Sequence, residues 1–267
     1  MTATSRIKDS EATFEQDASP HLSHSRINRY LTCPEQYRLY YVGKLRPRTD
    51  SAGLVFGALV HVAIADLFRT GEDPVEHFRR DWQNLKEVQL RYKKRESWDD
   101  FNAKGEKLLK KFLAEEAPKI RQALGVERKF ELQITSLDHP FIGIIDLVGQ
   151  VEDRLTVIDF KTEGSDYEDY EAALSDQLTA YALAAPEAER VPICVLVKTK
   201  EPRIEWHFAK RSVDDLTEYL DKVCLVSEDI SPGKFYKRPR KHCSYCDFLP
   251  VCLGEKKKVK DTLVKIA

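Results

Sequence analysis

Two adjacent apolar segments, Phe141-Ile-Gly-Ile-Ile-Asp-Leu-Val148 and Leu155-Thr-Val-Ile-Asp-Phe-Lys161, each carry one aspartate inside a stretch that otherwise reads as a buried strand. Burying a carboxylate costs several kcal/mol unless it is paired or bound to a cation. If the two segments form a hairpin turning at Glu152-Asp153, Asp146 stands directly opposite Asp159. Facing residues have Cβ atoms about 4.5 to 5.5 Å apart, close enough for two negative charges to repel. Strand alternation puts Lys161 on the face of Asp159. Two carboxylates and one amine then meet in one place, which suits a hard divalent cation such as Mg2+ and an amine that orients an attacking water. The alternative is a strand pair whose aspartates point to solvent, because short hydrophobic runs do not fix which face is buried.

The chain has 267 residues, of which 42% are hydrophobic, enough to bury a real core. No apolar run is expected to reach the roughly 18 residues of a membrane span, and the polar start Met1 to Ser10 does not read as a signal peptide, so a cytoplasmic location is expected. A net charge of −1 gives no global basic signature for nucleic acid. Local basic clusters do exist: Lys44, Arg46 and Arg48; Arg91 to Arg95; Lys237 to Lys241; and Lys256 to Lys258.

Residues 1–22 lack periodic apolar positions and read as a mobile tail. A helix is expected from Ser25 through Tyr41, a buried helix over Leu54 to Phe68, and charged helices over Pro74 to Arg95 and Trp98 to Glu116. Strands are expected over 127–137, 141–150 and 155–161, a helix over 167–185, further strands over 191–198 and 204–209, and a helix over 213–228. Residues 253–267 read as a basic tail. The order predicts an α/β fold: a mixed β-sheet with helices on its faces, preceded by a helical lobe.

Cys243-Ser-Tyr-Cys246 followed by Cys252 places three thiols at C-x2-C-x5-C spacing, which points to a metal. Cys33, next to the helix-breaking Pro34, is the natural fourth ligand. Cys194 and Cys224 sit in apolar periodic contexts and read as inert core residues. Spacing alone does not separate a four-thiolate zinc site from an iron-sulfur cluster, and His242 keeps a three-cysteine, one-histidine zinc site open.

Six ordered elements, Ser23-His-Ser25 leading to Cys33-Pro34, Gly57-Ala-Leu-Val-His61, Gly143-Ile-Ile-Asp146, Ile158-Asp-Phe-Lys-Thr162, Gln177-Leu-Thr-Ala-Tyr181 and the triple cysteine, occur between Ser23 and Cys252. In these the chain resembles the RecB-type nucleases of the PD-(D/E)xK superfamily, and within them the iron-sulfur branch that contains the CRISPR-associated single-strand DNA exonucleases. The resemblance implies a restriction-endonuclease-like core in a single nuclease domain over 23–252: a helical lobe to 120, the nuclease core to 230, and a cluster-binding segment to 252. It implies that Asp146, Asp159 and His61 hold Mg2+ or Mn2+, that Lys161 activates water, and that Gln177 and Tyr181 reach the nucleic-acid backbone and the site. Cys33, Cys243, Cys246 and Cys252 would then hold a [4Fe-4S] cluster. Glu127 begins the strand before the hairpin, where relatives sometimes carry an acidic residue, and stands outside the expected site. The expected substrate is the end of single-stranded DNA, in CRISPR spacer acquisition or in recombination and repair. Tyrosines at 30, 37, 40, 41, 236 and 245 are available for stacking, and Lys234 to Lys241 for phosphate contact. No G-x4-G-K-[ST] motif is present, so a helicase or integrase would be a separate partner. The rival expectation is a DNA-end binding scaffold with little activity of its own.

Overall fold

The computed structural model describes residues 20–266. Its centre is the hairpin of β3 (Phe141–Val151) and β4 (Arg154–Glu163). Glu152 and Asp153 both take positive φ (52° and 63°), the two-residue turn whose twist matches that of the flanking strands. From Val151↔Arg154 the register runs to Leu147↔Ile158. On the other side of β3 lies β2 (Ile120–Leu132), antiparallel; β5 (Ile193–Val197) runs parallel to β4, and β6 (Arg203–His207) antiparallel to β5. The sheet order is therefore β2-β3-β4-β5-β6. All five residues of β5, Ile-Cys-Val-Leu-Val, are buried, as a strand covered on both faces requires. A three-residue β1 (Leu45–Pro47) lies outside this sheet.

Helices cover both faces. Against one face packs α2 (Ala52–Thr70), backed by α3 (Pro74–Gln83) and α4 (Trp98–Lys111), burying Phe56, Leu59, Ile64, Phe78 and Trp82 against Leu147, Ile158, Phe160 and Leu196. Against the other packs α5 (Asp176–Ala184), through Leu178 and Tyr181, with α1 (His24–Thr32) and α6 (Val213–Ile230) beyond it. This is the mixed sheet flanked by helices that the sequence implies.

Several boundaries differ for local reasons. The helix expected through Tyr41 breaks at Cys33, whose backbone is extended (φ −163°) ahead of Pro34. The helix expected over 74–95 stops at Gln83. The helix expected over 167–185 is two, Asp169–Ala173 and α5, because the Ser175 side chain caps the second by accepting from the Leu178 N–H at 3.3 Å. The strand expected from 127 begins at Ile120. Of the tail expected over 1–22, residues 1–19 lie outside the described residues, whereas Leu22 is buried and bridges Phe141. The expected basic tail instead forms a helix, α7 (Lys256–Thr262), and a strand, β7 (Leu263–Lys265), which pairs with β1. Finally, α2 is, against expectation, long and apolar enough to cross a membrane by length and composition alone. Its apolar side is taken up by the core, where Phe56, Val60 and Ala63 have no exposure.

Phe56 contacts Phe78, Trp82 and Phe101 at ring-centroid distances of 5.5, 6.2 and 5.1 Å. Replacing it with alanine should cost about 3–5 kcal/mol, read as a lower midpoint in urea at unchanged m-value.

Candidate active site

The β3–β4 ladder ends at Leu147↔Ile158, one residue short of the aspartates. Beyond that point β3 continues with β2 alone and β4 with β5 alone, so the two strands part. Asp146 and Asp159 face each other in the fork, at the register the two-residue turn dictates. In β4 the Asp159 N–H donates toward the β5 side, to the Pro192 carbonyl. The Phe160 N–H points into the fork, where Asp146 Oδ2 accepts it at 2.8 Å. A carboxylate thus stands in for the lost strand partner.

The pair concentrates buried negative charge. The Asp159 side chain is 2% exposed, and its Oδ2 is buried and accepts no hydrogen bond. Lys161 Nζ lies 3.6 Å from that oxygen, and His61 Nδ1 lies 3.8 Å from Asp146 Oδ2. Burial, the largest influence, pushes Asp146 up to about 7, with Glu127 adding to it while the Phe160 N–H opposes it. Burial likewise pushes Asp159 up to about 6, against the pull of Lys161 and with the push of Asp146. Two carboxylates, one of them with a buried oxygen that accepts no hydrogen bond, and an imidazole fit a hard or borderline divalent ion.

Surrounding elements hold this geometry. His61 comes from α2, one turn after Gly57; a Cβ on Gly57 would stand 2.9 Å from Thr162 Oγ1, so glycine lets α2 approach β4 closely. From the opposite face, the Tyr181 hydroxyl donates to the Ile144 carbonyl at 2.6 Å and accepts from Gln177 Nε2 at 2.9 Å. Tyr181 is buried and its hydroxyl is raised well above its usual range by burial and the two aspartates. Gln177 and Tyr181 therefore meet each other and the backbone of β3 two residues before Asp146.

Three neighbours of the site stand outside the expected set. Glu127 falls at the β2 position facing Asp146 in the register that runs through Val126↔Leu147 and Arg128↔Ile145, and it lines a recess with His61, Asp146 and Phe160. Its φ of 47° turns it out of the regular ladder. His24, in the Ser-His-Ser element, is lowered to about 4 by burial and by Lys161 beside it, so it is neutral near pH 7. Tyr167 is pushed up to about 12, chiefly by burial, with Glu171 and Asp159 adding to it.

Three of the four expected cysteines, Cys33, Cys246 and Cys252, lie within electrostatic reach of one another, although among the described residues no three thiols approach within 4.8 Å of one another. The Cys33 and Cys246 thiols are close enough to Cys252 for their charges to raise it further, after burial, and Cys33 acts likewise on Cys246. Gln36 Nε2 donates to Cys246 Sγ at 3.6 Å, and the Arg240 N–H to Cys243 Sγ at 3.5 Å. The nearby basic stretch is partly consumed in knitting this region. Lys237 Nζ donates to the Cys252 carbonyl at 2.8 Å, Arg238 to the Leu31 carbonyl, and Lys234 pairs with Asp229. Of the tyrosines, Tyr30 and Tyr37 are core residues against Phe235, the first edge-on and the second stacked, whereas Tyr236 and Tyr245 are exposed.

A family profile described as the PD-(D/E)XK nuclease superfamily matches residues 21–253. Among solved structures the chain is similar to a protein of Eubacterium rectale provisionally called an exonuclease, at 12% identity and a TM-score of 0.51, covering 86% of this chain and 84% of that one. It is also similar to one called SSO0001, at 14% identity and a TM-score of 0.49, covering 94% and 96%. No curated protein matches the chain.

Two outcomes follow from the geometry. Because both aspartates bind protons more tightly in the folded than in the unfolded chain, the metal-free protein should lose stability as pH rises through 6 and 7. Melting scans in chelator from pH 5 to 8 should show that fall, and Mn2+ should restore more at pH 8 than at pH 5. Gly57→Ala should weaken Mn2+ binding about tenfold by holding α2 off β4, and adding Thr162→Ala should recover most of the loss, both read by calorimetry.

Proposed function

The chain belongs to the PD-(D/E)XK nuclease superfamily, and on that footing we propose that it is a metal-dependent deoxyribonuclease acting on the ends of single-stranded DNA. The observation that carries this reading is the fork, in which Asp146, Asp159 and Lys161 converge beside an unsatisfied buried oxygen. Asp146, Asp159 and His61 would hold Mg2+ or Mn2+, which supplies charge to a phosphate oxygen and acidifies bound water.

The remaining steps belong to the chain's own residues. Lys161, 3.6 Å from Asp159, orients the water and offsets the negative charge that builds on the phosphate as the water oxygen bonds to phosphorus and the ester oxygen leaves. Neutral His24 stands beside Lys161 without adding a competing positive charge. Tyr181 and Gln177 act as positioning residues, fixing the stretch of β3 that presents Asp146. Glu127 is a further acidic group on the same recess.

A preference for single strands is supported by the placement of the carboxylates, which sit between α2 on one side of the sheet and the α1, α5 layer on the other. Exposed Tyr236 and Tyr245, near the cysteines, offer stacking faces for unpaired bases. Cys33, Cys243, Cys246 and Cys252 would hold a [4Fe-4S] cluster that ties α1 to the C-terminal segment; the set of four thiols suits it. Participation in CRISPR spacer acquisition or DNA repair, with a helicase or integrase as a separate partner, follows from the same reading.

The test is digestion of DNA and RNA oligonucleotides labelled at either end, single- and double-stranded, with Mg2+ or Mn2+. Single-stranded DNA should shorten from one end, and Lys161→Ala should reduce the rate by at least about 10²-fold with folding intact. A folded, metal-replete protein that binds DNA ends without cutting them would show a scaffold instead.

A further inference from the structure

A second cluster of ligating groups lies at the far end of α2, outside the nuclease site. Asp66 on the last turns of α2, Glu72 in the connection and His77 on α3 bring one ligand atom each within 4.8 Å of one another. Local sequence builds the connection. Gly71 closes α2 in the left-handed conformation (φ 78°), and Asp73 caps α3 by accepting from the Val75 and Glu76 N–H groups, which leaves Glu72 between the two helix ends.

The imidazole is the unusual group. The His77 side chain is 1% exposed, and its Nε2 lies 3.1 Å from Asp81 Oδ2, one turn along α3. Its Nδ1 faces Glu72 Oε2 at 3.2 Å and Asp66 Oδ2 at 3.5 Å, yet it is buried and makes no hydrogen bond. An imidazolium would be ion-paired with both oxygens, at 3.2 and 3.5 Å, but would aim its buried N–H between them with neither in line for a hydrogen bond. A neutral ring with its proton on Nε2, toward Asp81, would set a lone pair against two carboxylate oxygens, which is repulsive unless a cation lies between them.

The spacing suits such a cation. Donors at roughly 2.1 Å from a tetrahedral metal stand about 3.4 Å apart, the value that 3.2 and 3.5 Å bracket. A buried carboxylate behind a histidine, as Asp81 is, fixes the ring tautomer of metal-ligating histidines. Arginines occupy the outer oxygens: Arg69 holds Asp66 Oδ1, and Arg80 holds Glu72 Oε1 and Asp81 Oδ1. The inner oxygens of all three carboxylates turn toward His77. The Glu72 side chain is 36% exposed, which gives an ion a way in and room for a water as fourth ligand.

We propose that Asp66, Glu72 and His77 form a second divalent-metal site of the zinc class, structural in role, joining the end of α2 to the start of α3. It is independent of the nuclease reading. Because α2 also carries His61, and Arg69 bridges Asp66 to Glu127 at 2.6 Å on the recess wall, an ion here would stiffen one side of that recess.

The test uses the full chain carrying Asp146→Asn, so that the nuclease carboxylate pair is disabled throughout, stripped with chelator and titrated with zinc alone or with cobalt as its spectroscopic stand-in. Compared with the same chain also carrying Glu72→Gln, it should bind one more zinc per chain and gain several degrees in melting temperature on zinc addition. The difference between the two cobalt spectra should show visible d–d absorption without thiolate charge-transfer bands, because the cysteines contribute equally to both chains. Glu72→Gln replaces a partly exposed side chain and keeps the fold, so loss of the signal is not loss of the protein; His77→Gln should remove the same equivalent. Equal zinc stoichiometry and identical cobalt spectra with and without Glu72→Gln would overturn the proposal and leave His77 as an ion-paired imidazolium.

Discussion

The structure turns on one costly placement: a carboxylate, Asp159, buried in the middle of a sheet at the point where its neighbouring strand departs. An oxygen in that position, without a hydrogen bond, would favour unfolding unless something positive were held there. Burial raises both carboxyl groups toward neutral pH, with Glu127 adding to the rise of Asp146 and Asp146 to that of Asp159. Lys161 and His61 approach within 4 Å without closing onto either oxygen as a tight ion pair would. The arrangement is costly as a charge pair, a cost that a divalent ion would offset on the proposed reading.

Everything around the fork serves to keep it open and aligned. The turn at Glu152-Asp153 sets the register that brings the aspartates level. Gly57 lets α2 lie close enough to β4 for His61 to reach Asp146, and Tyr181 pins the carbonyl of Ile144 from the other face. The aromatic cluster of Phe56, Phe78, Trp82 and Phe101 behind α2 gives that helix a rigid backing. Helix, sheet and opposing helix therefore form a clamp whose jaws meet at the carboxylates.

The pair Asp146 and Asp159 was legible because a polar residue interrupting an apolar strand stands out against its neighbours, and because a two-residue turn leaves a single register. The sheet and its flanking helices followed from periodicity in the same way. Glu127 was harder to read. Its proximity depends on the register between β2 and β3 and on a left-handed backbone at that one residue, neither of which periodicity reports. His24 stood out only as part of the Ser-His-Ser element and without a role, since its surroundings are supplied by Lys161, Asp176 and Lys222 far along the chain. The segment from Lys256 to Lys265 read as a basic tail because its strand is only three residues long and finds its partner at Leu45–Pro47, across nearly the whole sequence. His77 has no distinguishing neighbour pattern in the sequence, because only the packing of α3 against the end of α2 surrounds it with carboxylates.

The most direct measurement is the melting temperature of Asp159→Asn against the natural chain at pH 8, without divalent metal and then with millimolar Mg2+. If the buried carboxylate exists for a cation, the asparagine chain should be at least as stable as the natural one without metal, because it removes a buried charge that Lys161, at 3.6 Å, only partly offsets, while keeping the side-chain shape. Mg2+ should then raise the natural chain by several degrees and leave the variant unmoved. A variant that is less stable without metal, and that responds to Mg2+ as the natural chain does, would show that Asp159 holds the fold together and that the fork is not a metal site.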